Sequence, residues 1–194
     1  MREESLEKSR RRPGSFHDRM GVDFPLASIP PAPPSGGETL IVDHLNPACY
    51  ERPSAALKDA KPSDQIFIRP GIYEDKIFVM DKPVRLIGAG RDLVQIFSRR
   101  GGPLCLQKVP QGLISGITFR YIGSGPHSAI NVLDSTCTIT GCRITEGILS
   151  GIVIYGPECQ PTLIENEVCY NRESGIFVFS GAHPYIAKND CHTN

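Results

Sequence analysis

Short bursts of alternating apolar and polar residues run along this chain, and in its C-terminal half the bursts recur at nearly fixed intervals. Ser150-Gly151-Ile152-Val153-Ile154-Tyr155 returns 24 residues later as Ser174-Gly175-Ile176-Phe177-Val178-Phe179, and Ser128-Ala129-Ile130 precedes the first copy by 22. Pro161, Leu163, Asn166, Val168 and Asn171 match Pro184, Ile186, Asn189, Cys191 and Asn194 at an offset of 23. Cys137, Ile139, Cys142, Ile144 and Gly147 fill the same places one repeat earlier. Helical repeats run longer, about 33 to 47 residues, and need a 3.6-residue period that is absent here. The pattern predicts β segments stacked as successive turns of one coil.

In such a stack each turn adds a strand about 4.8 Å from the last, and side chains alternate inward and outward. Four inward columns follow: Ile130-Ile152-Ile176, Val132-Ile154-Val178, Ile139-Leu163-Ile186 and Phe119-Ile144-Val168-Cys191. Asn166 and Asn189 fall at corners, where stacked amides hydrogen-bond along the axis, and Cys142 interrupts that ladder. The outward positions of the Ser-Gly-Ile strand are Asn131, Val153 and Phe177 in one column and Leu133, Tyr155 and Phe179 in the next. An outward apolar and aromatic stripe of this kind marks a contact surface, unless the proline-rich arm (Phe24, Leu26, Ile29) folds over it.

Upstream, Thr39–Val42 reads as a strand and Pro53–Ala60 as a short helix with proline in its first turn. Asp64–Glu74, Lys76–Met80, Pro83–Gly88 and Val94–Phe97 read as further short strands broken by turn residues. The helix is expected to cover the N-terminal end of the stack. Residues 1–37 have mixed charges and then Pro25, Pro30, Pro31, Pro33 and Pro34, and are expected to form a disordered or extended arm. Arg11-Arg12-Pro13-Gly14-Ser15 within it resembles a basophilic kinase site, or is a plain solvated tail. The coil is expected to occupy 38–194. It stops at Asn194 inside a repeat, which implies a fragment, a short isoform or another surface over the last turn.

Composition narrows the function classes. Lys plus Arg and Asp plus Glu are 21 each, so no net field favours nucleic acid or anionic lipid. No secretory leader and no stretch of about 18 apolar residues is visible, which leaves membrane insertion without support. The seven cysteines are odd in number and fall at strand or turn positions, as reduced thiols do, and a cytoplasmic or nuclear setting is expected.

The short Ala-Leu helix, the block Ile66–Tyr73 with Pro70-Gly71-Ile72-Tyr73, and Lys82-Pro83-Val84 leading to Leu86-Ile87-Gly88 resemble the opening of right-handed parallel β-helices of the pectin-lyase-like superfamily. The Ser-Gly-Ile and Ile-x-x-Asn turns resemble its carbohydrate-binding and sugar-hydrolase repeats. In style they are similar to the β-helix region of the F-box only proteins, cytosolic ubiquitin-ligase receptors. The resemblance implies an all-β, right-handed, single-stranded parallel β-helix (solenoid) with a short N-terminal capping helix. No F-box is recognisable in residues 1–37.

Enzymes on this fold need clustered acids. Asp134, Glu158, Glu165, Glu167, Glu173 and Asp190 read instead as scattered over turns and corners, with no two in one outward column of adjacent coils. Gly88-Ala89-Gly90 has Leu93 where a dinucleotide loop needs its third glycine, and reads as a turn. Cys137-x4-Cys142, Cys159, Cys169, His183 and His192 lack zinc-finger spacing. No catalytic residue, metal site or cofactor is therefore nominated. The expected function is a non-catalytic β-helix for protein interaction or substrate recognition, linked by the resemblance to ubiquitin-ligase-type complexes, with Asn131, Leu133, Val153, Tyr155, Phe177 and Phe179 as its binding stripe and a protein as its partner. The alternative is a glycan-binding or polysaccharide lyase- or hydrolase-like protein, in which Tyr155 and Phe179 stack on sugar rings.

Overall fold

The structure, a computed structural model, describes residues 31–194. After β1 (Thr39–Val42) and α1 (Pro53–Asp59) the chain makes repeated circuits of three strands. The first circuit is β2 (Gln65–Ile68), β3 (Gly71–Glu74) and β4 (Ile77–Met80), and the second β5 (Val84–Gly88), β6 (Val94–Ser98) and β7 (Leu104–Gln107). The third is β8 (Gly112–Ser115), β9 (Thr118–Tyr121) and β10 (Ile130–Leu133), and the fourth β11 (Thr138–Thr140), β12 (Arg143–Thr145) and β13 (Ile152–Tyr155). The fifth is β14 (Thr162–Ile164), β15 (Glu167–Cys169) and β16 (Ile176–Phe179); β17 (Tyr185–Ala187) and β18 (Asp190–His192) continue the course.

Corresponding strands pair in parallel and build three sheets. The first has the order β1-β2-β5-β8-β11-β14-β17, the second β3-β6-β9-β12-β15-β18 and the third β4-β7-β10-β13-β16. The chain is thus an all-β parallel solenoid. The expected columns are register partners: Ile130 with Ile152 and Ile152 with Ile176, Ile139 with Leu163 and Leu163 with Ile186, Phe119 with Ile144 and Val168 with Cys191. Inward residues of the middle coils, including Ile114, Ile139, Ile144, Ile152 and Ile154, are 0% exposed. At the last coil the same columns open, with Val178 at 36% and Ile186 at 43%.

Many corners turn on one residue of left-handed backbone. Between the first and second sheets these are Gly116, Gly141, Glu165 and Lys188, at φ 65, 59, 58 and 55°. Glu146, Tyr170 and Thr193 follow the second sheet, and Asp81, Lys108, Asp134, Gly156 and Ser180 the third. Side chains other than glycine are disfavoured there, so something must hold them. The asparagine that follows does so at four of these places. Asn166 accepts from the Cys142 amide through Oδ1 (3.0 Å) and donates through Nδ2 to the Ile139 carbonyl and to Asn189 Oδ1 (2.8 and 2.9 Å). A second ladder, not singled out from sequence, joins the Gly147 amide, Asn171 and Asn194. Cys142 interrupts the first ladder as expected, and its thiol faces the Thr140 carbonyl at 3.4 Å. Gly88 and Gly116 stack so closely that a Cβ on Gly88 would lie 2.2 Å from the Gly116 carbonyl oxygen, so Gly88-Ala89-Gly90 belongs to a corner and not to a phosphate loop.

Helix α1 closes the N-terminal end, burying Pro53, Ala56 and Leu57 against the core. Arg52 supplies no side-chain cap; Asp75, from the following circuit, accepts the Ser54 amide at 2.7 Å, and Lys82 Nζ donates to the Leu57 carbonyl at 2.7 Å. Both ends of a seven-residue helix are therefore secured by the coil beneath it. Asp64 fastens the entry to the coil by accepting the amides of Glu38 and Lys61 (2.9 and 2.8 Å). Of the expected arm, 1–30 lie outside the described residues, as do the Arg11–Ser15 motif and Phe24, Leu26 and Ile29. The Pro31 carbonyl accepts from Gln65 Nε2, which places that end of the segment against the first sheet. No helix among the described residues is long and apolar enough to cross a membrane.

Two outcomes test these supports. Asn166→Ala strands a buried amide and a buried carbonyl at once and is expected to lower stability by about 1–3 kcal/mol in urea unfolding. The Glu38 amide, then that of Lys61, holds the Asp64 carboxyl below its ordinary value. Its contribution is therefore present above the ordinary carboxylate range and disappears as pH falls through the lowered value. The melting-temperature difference between wild type and Asp64→Asn is expected to shrink on acidification.

Candidate functional site

Because strand residues alternate, the three outward faces are free to differ while the inside stays uniform. On the third sheet the register gives Phe78-Cys105-Asn131-Val153-Phe177 in one column and Met80-Gln107-Leu133-Tyr155-Phe179 in the other. All six stripe residues expected from sequence, Asn131, Leu133, Val153, Tyr155, Phe177 and Phe179, thus share one face. The stripe also extends to the opposite end through Phe78 and Met80, which the sequence reading missed. Its two ends are the most exposed: Phe78, Met80, Phe177 and Phe179 are 48, 47, 48 and 41% exposed, with half-buried residues between them.

The aromatic end is ordered by its own packing. Tyr155 and Phe179 lie 5.3 Å apart between centroids with planes at 13°, and Phe177 and Phe179 lie 5.2 Å apart at 21°. Each is an offset stack in the favoured range, so ring faces are partly taken by neighbouring rings. Burial raises the Tyr155 hydroxyl above its usual value.

The second sheet presents the opposite chemistry. Glu167 on β15 accepts from Arg143 Nε on β12 at 2.9 Å, Arg91 approaches the same carboxylate oxygen at 3.8 Å, and Arg143 also reaches Asp92 at 2.9 Å. Arg120 and Glu146 form a bidentate pair at 2.8 to 3.0 Å. One sequence expectation fails here: Glu167 and Asp190 are register partners on β15 and β18, so two acids do share an outward column in adjacent coils. Burial alone would raise the Glu167 carboxyl, but the hydrogen bond and charge of Arg143 outweigh it and hold the group below its ordinary value, opposite to the shift a general acid needs.

The remaining candidates separate. His183 precedes β17, whereas His192 lies on β18, where its Nε2 is 3.6 Å from Glu167 Oε1. Cys169 brings its Sγ within 3.8 Å of the same oxygen, so Glu167, Cys169 and His192 form a mixed cluster that local spacing concealed. The repeat offset of 23 that pairs Val168 with Cys191 also pairs Cys169 with His192, and it was the available signal. All seven cysteines are free. Burial pushes the Cys137 and Cys142 thiols up to about 12, as suits packing residues and not nucleophiles. An open hollow of about 340 Å³ near the N-terminal end is lined by His44, Glu51, Arg52, Ile72, Tyr73 and Glu74.

A family model described as a right handed beta helix region matches residues 101–194. No curated protein and no solved structure matches the chain. The parallel coil is accordingly a right-handed β-helix.

The stacked rings give a coupling that can be measured. Tyr155→Ala is expected to cost about 0.5–1.5 kcal/mol beyond its lost area, and most of that excess is expected to vanish in a Phe179→Ala background, as read by a double-mutant cycle of urea midpoints.

Proposed function

We propose that this β-helix is a non-catalytic interaction module that binds a protein partner through the outward face of its third sheet. The observation that carries the reading is the pair of adjacent columns running the whole length of that sheet, with Phe78, Met80, Leu133, Val153, Tyr155, Phe177 and Phe179 on one surface. Exposed apolar residues scattered singly are ordinary, but apolar residues gathered on one face, interrupted only at Cys105, Gln107 and Asn131, have the composition of an interface core. The array is also rigid, since every residue in it is fixed by a parallel ladder, and little ordering entropy is lost on binding.

Glycan binding is the second reading, and the aromatic end favours it. Against it, a sugar needs convergent hydrogen-bonding groups beside the ring, and the stripe offers Asn131, Gln107 and the Tyr155 hydroxyl among aliphatic neighbours. A protein surface of aliphatic and aromatic side chains is the better complement. A place in a ubiquitin-ligase-type complex is the finer form of the proposal; its support is the resemblance of the coil pattern. Free cysteines throughout support a reducing, cytoplasmic or nuclear setting.

The test compares wild type with Tyr155→Ala/Phe179→Ala and with the control Arg120→Ala on the second sheet, by proximity labelling in cells and by glycan array. A defined protein set that is lost in the stripe variant and kept in the control is the expected result. Labelling identical in all three, or saturable glycan binding abolished by the stripe variant, would defeat the proposal.

A further inference from the structure

We infer that Glu167, Cys169 and His192 form a binding site for a divalent transition-metal ion of the zinc type on the outward face of the second sheet, away from the proposed interaction stripe. The three side chains come from two adjacent coils. Cys169 and His192 are register partners on β15 and β18, and Glu167 lies two residues before Cys169, so alternation points all three to one side. Glu167 Oε1 is 3.6 Å from His192 Nε2 and 3.8 Å from Cys169 Sγ, and the three ligand atoms all lie within 4.8 Å of one another.

Those separations fit a common ion. Zinc bonded tetrahedrally to sulfur, imidazole nitrogen and carboxylate oxygen sets its ligand atoms about 3.4–3.6 Å apart. Small side-chain rotations on a fixed backbone would close the cluster to that spacing. The donor set, one thiolate, one imidazole and one carboxylate, is of the kind that prefers zinc or cobalt over magnesium or calcium. Three protein ligands leave a fourth position, and water can fill it because the His192 side chain is 40% exposed.

The surroundings organise each ligand. Glu167 Oε2 is held by Arg143 Nε at 2.9 Å, which leaves Oε1 turned to the cluster. His192 Nδ1 contacts Thr193 Oγ1 at 3.2 Å, so Nε2 is the nitrogen presented to the ion, an outer contact of the sort that orients metal-bound histidines. Tyr170 packs edge-on against the imidazole with ring centroids 6.0 Å apart. Binding converts the Cys169 thiol to thiolate and passes its proton to the solvent. The thiolate and the Glu167 carboxylate then offset the ion's charge, while Arg143 and Arg91 stay on the far carboxylate oxygen at 2.9 and 3.8 Å.

The site is tested with cobalt(II) and zinc(II) on the full chain stripped by a chelator, in a Cys49→Ser/Cys105→Ser/Cys191→Ser background that removes the more accessible thiols. One equivalent of cobalt is expected to bind with a thiolate-to-metal charge-transfer band, and one equivalent of zinc to bleach it. Cys169→Ser is expected to abolish the band. His192→Ala, on the edge strand where folding is least at risk, is expected to weaken cobalt binding at least about tenfold. Circular dichroism of each variant establishes that the coil is intact. No saturable binding in the folded background protein, or a band that survives Cys169→Ser or is indifferent to His192→Ala, would overturn the inference.

Discussion

Vertical register between coils is the constraint on which everything else in this protein depends. Once Ile139 lies over Ile114 and under Leu163, the neighbours of every residue on those strands are fixed, inside and out. The register is not set by strand length, since many strands have only three or four residues. It is set at the corners, and after the third sheet a left-handed residue turns the chain at the same place in each coil: Asp81, Lys108, Asp134, Gly156 and Ser180. In the C-terminal coils, Asn166, Asn189, Asn171 and Asn194 then tie such places to the coil before. A slip by one residue would turn each inward column outward and strand the amides together. The cost is concentrated in the corners, while the benefit is spread along the columns.

Coil length can vary because only the strands and corners are constrained. Stacked partners on the first sheet are 20 residues apart from Ile66 to Leu86, 28 from Leu86 to Ile114, 25 from Ile114 to Ile139, 24 from Ile139 to Leu163 and 23 from Leu163 to Ile186. Extra residues leave as loops, and loop closure grows slowly with length. This freedom explains what the sequence revealed and what it hid. The C-terminal coils are nearly equal, so Ile152 could be matched with Ile176 by eye, and the inward columns and stripe residues followed. The first coils differ by eight residues, so Phe78 and Met80 could not be aligned with Asn131 and Leu133, and the N-terminal half of the stripe stayed hidden. β7 and β8 went unread for the same reason.

The polar face was lost differently. Glu167 and Asp190 were within reach of the offset that paired Val168 with Cys191, yet they stand beside the corner residues Glu165 and Lys188. From sequence alone a three-residue strand and a corner look alike, because both hold polar residues around one apolar position. Only the backbone separates them: Glu165 is left-handed at φ 58°, and Glu167 begins a strand two residues on. That two-residue difference moves Glu167 from a solvent-facing bend into a sheet column, where Arg143, Cys169 and His192 converge on it.

The dimensions of the stripe show what kind of contact it can make. Five strands spaced about 4.8 Å apart give a length of about 19 Å, and two columns separated by one strand repeat are about 7 Å apart. A stable protein interface takes about 800 Å² from each partner, several times that footprint. The stripe can therefore be the dry centre of a contact and not the whole of it. A surrounding rim must come from the corners that border the third sheet, where Asp81, Lys108 and Asp134 stand in successive coils with alternating charge. A partner lying along the coil axis would meet one outward residue of each column per coil, about 4.8 Å apart, with alternating charges alongside. Such a charge order favours one register along the face, because sliding the partner by one coil sets like charges opposite each other. In the proposed contact, the same regular stacking that makes the fold would supply both the apolar columns and the charges beside them.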